Sequence, residues 1–358
     1  MKAWTLDSLG SPLELEEVPD PQLRSGGAVL RMLAVQVPAY TRALTMGGRG
    51  GIATPTVLGI GGIGRVEAVA EDVHTVRPGE LALSTGFLAT GRVAEPEEVL
   101  LGWTGIGGRG HPSPATDGMR RVWRTGTFAE RALMPASTLV ALPGAERYRD
   151  LARLAFLPWL SIAAGAVERS GLRPGDRLVV AGASGQLGGA AVLLALARGA
   201  GTIAAVGRNA GSLARLAALD ARVRPVQSVG DRTEDAAAIT KALNGDADVT
   251  IDALGPTPSA DLTMAGFDVL RPDGTMVLLG GVRQTLPIPY GDLMRRRITL
   301  RGSWMTSNES IFSVWRQIEA GVLDLDPLDV STVGLDDPAT ALARAEATNG
   351  LSFLALTP

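Results

Sequence analysis

The chain of 358 residues contains no cysteine. That absence excludes disulfides, thiolate nucleophiles and every cysteine-based zinc site. Histidine is almost as scarce, with only His74 and His111 far apart in sequence. A conventional His/Cys metal centre cannot be assembled from them, and no clustered Asp/Glu motif offers a carboxylate substitute. Lysine is confined to Lys2 and Lys241, so arginine supplies nearly all the positive charge. We read this as compositional bias. The formal net charge of −3 argues against a nucleic-acid partner, which would require a basic face. No uninterrupted apolar run approaches the roughly twenty residues of a membrane span. The opening Met1-Lys-Ala-Trp-Thr-Leu-Asp7 has no apolar signal core. The expectation is a cytoplasmic protein without a membrane partner.

An apolar content of 46% and a charged content of 20% suit a globular chain, long enough for two domains. The most informative stretch is Leu178-Val-Val-Ala-Gly-Ala-Ser-Gly-Gln-Leu-Gly188. An apolar run enters a Gly-rich turn, a helix-forming run over 189–198 leaves it, and a second apolar run over 202–206 ends at Gly207-Arg208. This strand–turn–helix–strand context gives a dinucleotide fingerprint its meaning. Glycines let backbone approach a pyrophosphate, and the helix start offers N–H groups to the anion. Gly207-Arg208 falls about twenty residues on, where an adenine ribose would lie. NAD enzymes usually place an acid there. A small residue and a cation point to a 2′-phosphate, hence NADP(H). A tight turn that binds nothing and a solvated Arg208 are the plainer alternatives.

The first third reads as β-rich, with strand-like runs at 29–35, 64–70 and 81–83. Residues 86–126 are rich in Gly and Pro and read as a long irregular excursion containing Trp103, His111 and Trp123. From about residue 157 the texture alternates. Helical runs at 159–170, 211–219, 310–320 and 339–348 are interleaved with strand-like runs at 177–181, 247–255, 275–281 and 298–304. This alternation predicts an α/β fold with a doubly wound parallel sheet.

The order of Pro55-Thr-Val-Leu-Gly59, Val76-Arg-Pro-Gly-Glu-Leu-Ala82, Gly126-Thr-Phe-Ala-Glu130, Arg173-Pro-Gly-Asp176, Gly182-Ala-Ser-Gly-Gln-Leu-Gly188 and Leu270-Arg-Pro-Asp-Gly-Thr-Met-Val-Leu-Leu-Gly280 resembles the medium-chain dehydrogenase/reductase superfamily over nearly the full chain. The Gly-Ala-Ser-Gly form resembles its zinc-independent, quinone oxidoreductase-like branch. The resemblance implies a GroES-like β-barrel domain from 1–157 and 305–358, a Rossmann NADP-binding domain over 158–304, an active site at their junction, and a homodimer or homotetramer. It also brings out departures. Zinc-dependent members carry a Cys where this chain has Pro38, Gly-His-Glu where it has Gly59-Ile60-Gly61, a third ligand near Leu157, and a four-cysteine lobe within 86–126. Zinc-free members usually show Val-Asn-x-x-Asp where this chain has Val37-Pro-Ala-Tyr-Thr41.

Without zinc, a hydroxyl or water must stabilise charge on an acceptor oxygen. Tyr40 falls where zinc alcohol dehydrogenases place a proton-relay hydroxyl, and it is the leading catalytic candidate, with aromatic packing as the alternative. Thr41 is a second candidate. The resemblance puts Ser161 near the nicotinamide ribose. Ser184, Gly185, Gln186 and Leu187 are expected around the pyrophosphate, and Gly207, Arg208 and Asn209 at the 2′-phosphate. Ala253, Leu254, Gly280, Gly281 and Val282 are expected at strand ends facing the cofactor. The expected activity is zinc-independent, NADPH-dependent reduction of a small or medium organic acceptor, an activated C=C first, a quinone or carbonyl next. A fold repurposed for cyclisation or elimination, or a non-catalytic nucleotide-binding protein, are the alternatives.

Overall fold

The computed structural model of the chain describes residues 1–48, 52–94, 96–104 and 113–358. The chain forms two compact units: Met1–Pro158 with Val330–Thr348 and Phe353–Pro358, and Trp159–Asp329 with Asn349–Ser352.

The spine of the first unit is the strand Gly27–Val37. It pairs antiparallel with Ile63–Val69, Arg131–Pro135 and Ser352–Leu356. Most of its residues are buried, which explains a near-continuous apolar run rather than an alternating one. Trp4 and Phe128, both fully buried, stack edge-to-face with centroids 5.3 Å apart. The Trp4 indole Nε1–H donates to the Leu335 carbonyl at 2.8 Å, so this core ring keeps a partner for its polar edge. The excursion is more regular than its composition suggests. It holds a hairpin of Phe87–Ala89 with Glu98–Leu100 and a helix, Pro114–Val122, whose Ser113 and Thr116 form a capping box. Proline at the first helical position was the signal available. His111 lies outside the described residues.

The second unit is a six-stranded parallel sheet: β1 (Arg177–Ala181), β2 (Thr202–Gly207), β3 (Val223–Gln227), β4 (Ala247–Asp252), β5 (Leu270–Leu278) and β6 (Thr299–Gly302). Their spatial order is β3-β2-β1-β4-β5-β6, the doubly wound Rossmann order with its switch point at β1/β4. β3 contains Pro225, which hides it from a strand search. It sits at the sheet edge, where a missing N–H is tolerated. The helix α1 (Leu157–Ser170) continues a run from Leu151 that is long and apolar enough to cross a membrane by length and composition, yet 67% of that window is buried inside the fold. Helices α2 (Gln186–Ala197) and α3 (Ala210–Ala217) follow β1 and β2. α2 is buried on nearly all sides, as its unbroken Ala/Leu/Val run requires.

The division differs from the expected boundary at 304/305. Residues 305–329 group with the Rossmann unit. The Arg169 guanidinium donates to the Met305 carbonyl at 3.1 Å, and the Ser310 hydroxyl to Glu168 Oε2 at 2.6 Å. These bonds to α1 hold the helix Asn308–Glu319 to that unit.

Candidate active site

In the Rossmann unit, β1 runs into the turn 182–185 and α2 begins at Gln186. A Cβ at Gly188 would lie 2.2 Å from the Gly182 carbonyl oxygen, so only glycine lets the helix start close against the turn. Gly185 is the N-cap and gives no side-chain hydrogen bond. The first N–H groups of α2 have no acceptor within their own helix, which suits an anion. β2 ends at Gly207, and a Cβ there would lie 2.4 Å from Ser184 Oγ. The Gly-rich turn and the end of β2 are thus one packed surface. These features fit a dinucleotide.

Arg208 is exposed, and its guanidinium makes no hydrogen bond or ion pair among the described residues. Asn209 is committed locally: its Oδ1 accepts from the Ser212 N–H at 2.9 Å and caps α3. Gln186 is buried, and its side-chain amide donates to the Ser352 carbonyl at 3.0 Å. Ser184 and Leu187 are half-buried and Gly185 is exposed. Ser161 is buried on α1, past the first turn and not at the helix start.

Across the switch point, the Ala253 N–H donates to the Ala181 carbonyl at 2.9 Å and the Gly281 N–H to the Leu254 carbonyl at 2.7 Å. Gly280 and Gly281 are exposed and Val282 is half-buried beyond β5. Sequence reasoning missed Asp252, which organises this end. Its Oδ1 accepts from the Leu254 N–H at 2.9 Å and its Oδ2 from the Thr263 hydroxyl at 2.6 Å. Its carbonyl accepts from the N–H groups of Leu279 and Gly280, each at 2.9 Å. Burial pushes the Asp252 carboxyl up from its ordinary range despite these donors. An acid at the end of a strand-like run was the only sequence signal.

In the barrel unit, Tyr40 is half-buried and meets Trp103 edge-to-face at 5.9 Å, while Trp103 meets Phe128 at 6.2 Å. The Tyr40 ring is therefore anchored to the buried aromatic core. Thr41 is a different case. It is fully buried, and its hydroxyl donates to the Pro38 carbonyl at 2.6 Å. Its one proton is directed at a backbone carbonyl. Trp103 and Trp123 both line a small cavity of about 20 Å³ with Ile52, Leu100, Arg120 and Arg124.

The positions that ligate zinc in relatives do not fit a metal here. Pro38 and Leu157 are buried, Ile60 is apolar, and Pro158 packs against Gly61. None offers a donor atom on its side chain. Among the described residues no group of three His, Asp or Glu side chains converges.

Residues 187–320 match the family model described as zinc-binding dehydrogenase. The chain is 28% identical over 231 residues to probable D-xylulose reductase A of Aspergillus niger, covering 64% of this chain and 63% of that protein. It thus spans less than two thirds of that relative's length. It is 26% identical over 355 residues to a probable zinc-binding alcohol dehydrogenase of Mycobacterium tuberculosis, covering 98% of this chain and 86% of that one. The solved structure of a putative zinc-binding dehydrogenase from Sinorhizobium meliloti bound to NADP superposes with a TM-score of 0.79 at 22% identity, over 100% of this chain and 99% of that one. The fold is that of the medium-chain dehydrogenase/reductases. Within it, the antiparallel unit is the GroES-like domain and the parallel sheet the Rossmann domain. The medium-chain dehydrogenase/reductase fold is therefore kept here in a chain whose metal-ligand positions carry no ligands.

Proposed function

We propose that the chain is a zinc-independent, NADPH-dependent oxidoreductase that reduces a small or medium organic acceptor, first an activated C=C conjugated to a carbonyl, then a quinone or carbonyl. The observation that carries this reading is Arg208: an exposed guanidinium without a partner among the described residues, one residue beyond a glycine packed on the pyrophosphate turn. An acid that would bond a ribose 2′-hydroxyl is missing from that place, and a bidentate phosphate donor stands there. The relative of known structure bound to NADP agrees with this choice.

In this reading Ser184 to Leu187 hold the pyrophosphate through backbone N–H groups, Gly207 and Arg208 receive the 2′-phosphate beside the Asn209 cap, and Ser161, Ala253, Leu254 and Gly280 to Val282 flank the nicotinamide half. When bound, the reduced nicotinamide supplies the hydride. The phenol of Tyr40, with its ring fixed on Trp103, donates a hydrogen bond to the acceptor oxygen as charge grows there. Protonation of carbon then completes reduction of a C=C. No step calls on a metal, because Pro38, Ile60, Gly61 and Leu157 offer no donor set. The reading includes a cytoplasmic homodimer or homotetramer, partnered by its small-molecule substrate and by neither nucleic acid nor membrane.

The test is direct. Purified protein with a chelator present is mixed with NADPH and a panel of enones and quinones, and loss of nicotinamide absorbance is followed. Metal-independent turnover of at least one acceptor is expected. No turnover across the panel would overturn the reading.

A further inference from the structure

Residues 349–352 group with the Rossmann unit, although the chain on either side of them belongs to the barrel unit. This short hook touches both helix starts that the cofactor reading uses. Asn349 Oδ1 accepts from the Ser212 hydroxyl in the first turn of α3. The Ser352 N–H donates back to the Asn349 carbonyl at 2.9 Å, closing the hook on itself. The Ser352 carbonyl in turn accepts from Gln186, the first residue of α2, at 3.0 Å. Its other side is held by Asp329, whose N–H donates to the Leu351 carbonyl at 2.9 Å and whose Oδ2 accepts from the Ser352 hydroxyl at 3.3 Å. Asp329 also meets the Arg215 guanidinium of α3 at 3.5 Å.

One ligand carries both a pyrophosphate and a 2′-phosphate, so the starts of α2 and α3 must keep a fixed spacing. Ångström-scale misplacement of a binding group sacrifices much of its interaction. Ser212 is held from two sides. Asn209 Oδ1 takes its N–H and Asn349 takes its hydroxyl, and Arg208 is the residue before Asn209.

We infer that Asn349 is a positioning residue for recognition of the adenosine 2′-phosphate. Through Ser212 it fixes the first turn of α3, and with it the backbone on which Arg208 stands. Asn349 meets no phosphate itself. This rests on the NADPH reading, and the test separates the two.

The probes are 2′,5′-ADP and 5′-AMP, titrated calorimetrically into the full chain. The wild-type protein is expected to prefer 2′,5′-ADP. Asn349→Ala should shrink that preference about fivefold, the scale of one lost hydrogen bond, while leaving 5′-AMP affinity unchanged. Ser212→Ala should do the same, and the double variant should lose no more than either alone, because both remove one interaction. If Asn349→Ala does not fold, Ser212→Ala carries the test. A wild-type protein without preference overturns the NADPH reading and this inference with it. A preference that survives both single variants, or equal weakening of both probes, overturns the role of Asn349 alone.

Discussion

Gly207 lies so close to Ser184 that a Cβ placed on it would come within 2.4 Å of the serine hydroxyl and 3.0 Å of the Ser184 backbone nitrogen. The end of β2 and the Gly-rich turn therefore pack closely, with no room for a side chain at Gly207. Gly207→Ala must push the turn away from the strand, and overpacking of this kind typically costs about 1–3 kcal/mol. The expected outcome is a lower melting temperature together with weaker binding of both NADPH and NADH. A variant that melts and binds like wild type would show that the contact yields freely.

Arg208 stands next to that contact with its guanidinium uncommitted. Arg208→Ala should raise the NADPH dissociation constant by about one to two orders of magnitude, the scale of charge-assisted phosphate bonds, and leave the NADH constant nearly unchanged. Fluorescence titration with both nucleotides measures it. Equal changes for the two would remove the 2′-phosphate from Arg208.

Tyr40 and Thr41 are neighbours in sequence, but Tyr40 is half-buried and Thr41 fully buried. Tyr40→Phe keeps the edge-to-face contact with Trp103 but loses the hydroxyl, so kcat should fall by about tenfold or more while the melting temperature holds. Thr41→Val loses a buried bond to the Pro38 carbonyl, costing about 1 kcal/mol of stability, with kcat held. Steady-state kinetics and thermal melts on both variants distinguish these roles, and the reverse pattern would exchange them.

Asp220 gives a pH-dependent handle on the Rossmann unit. Bonds from Arg222 hold its carboxyl down at about 2, below the ordinary 3.8. A depressed acid contributes stability that is fully present above its unfolded pKa and is lost as pH falls through the folded one, here from 3.8 toward about 2. Arg222→Ala should move the Asp220 midpoint, read by carboxyl NMR titration, back toward 3.8 and should narrow acid tolerance. The pair is partly exposed, so the effect on stability is small and screened by salt. An unmoved midpoint would show that Arg222 is not the cause.

Much of the fold was legible because local pattern and burial agree. The strands β1, β2 and β4 and the turn at Gly182 could be read from residues alone. β3 was not, since Pro225 argues against a strand until its place at the sheet edge is known. The helix Pro114–Val122 was hidden by glycine and proline around it, although Ser113 and Pro114 marked its start. Asp252 was passed over because its importance lies in partners far along the chain, Thr263 and Leu279.

By itself the sequence determined which side chains this protein lacks and where its Gly-rich turn stands. A cysteine-free chain cannot carry cysteine zinc ligands, and an apolar strand entering a Gly-rich turn before a helix is the pattern of a dinucleotide fingerprint. Only the tertiary structure decided how side chains are spent. Gln186 turns to Ser352, Asn209 caps α3, Thr41 donates to Pro38 and Arg208 is left without a partner among the described residues. The physical reason is that each hydrogen-bonding group has a fixed number of partners. Which ones it takes depends on groups that folding brings near from distant parts of the chain.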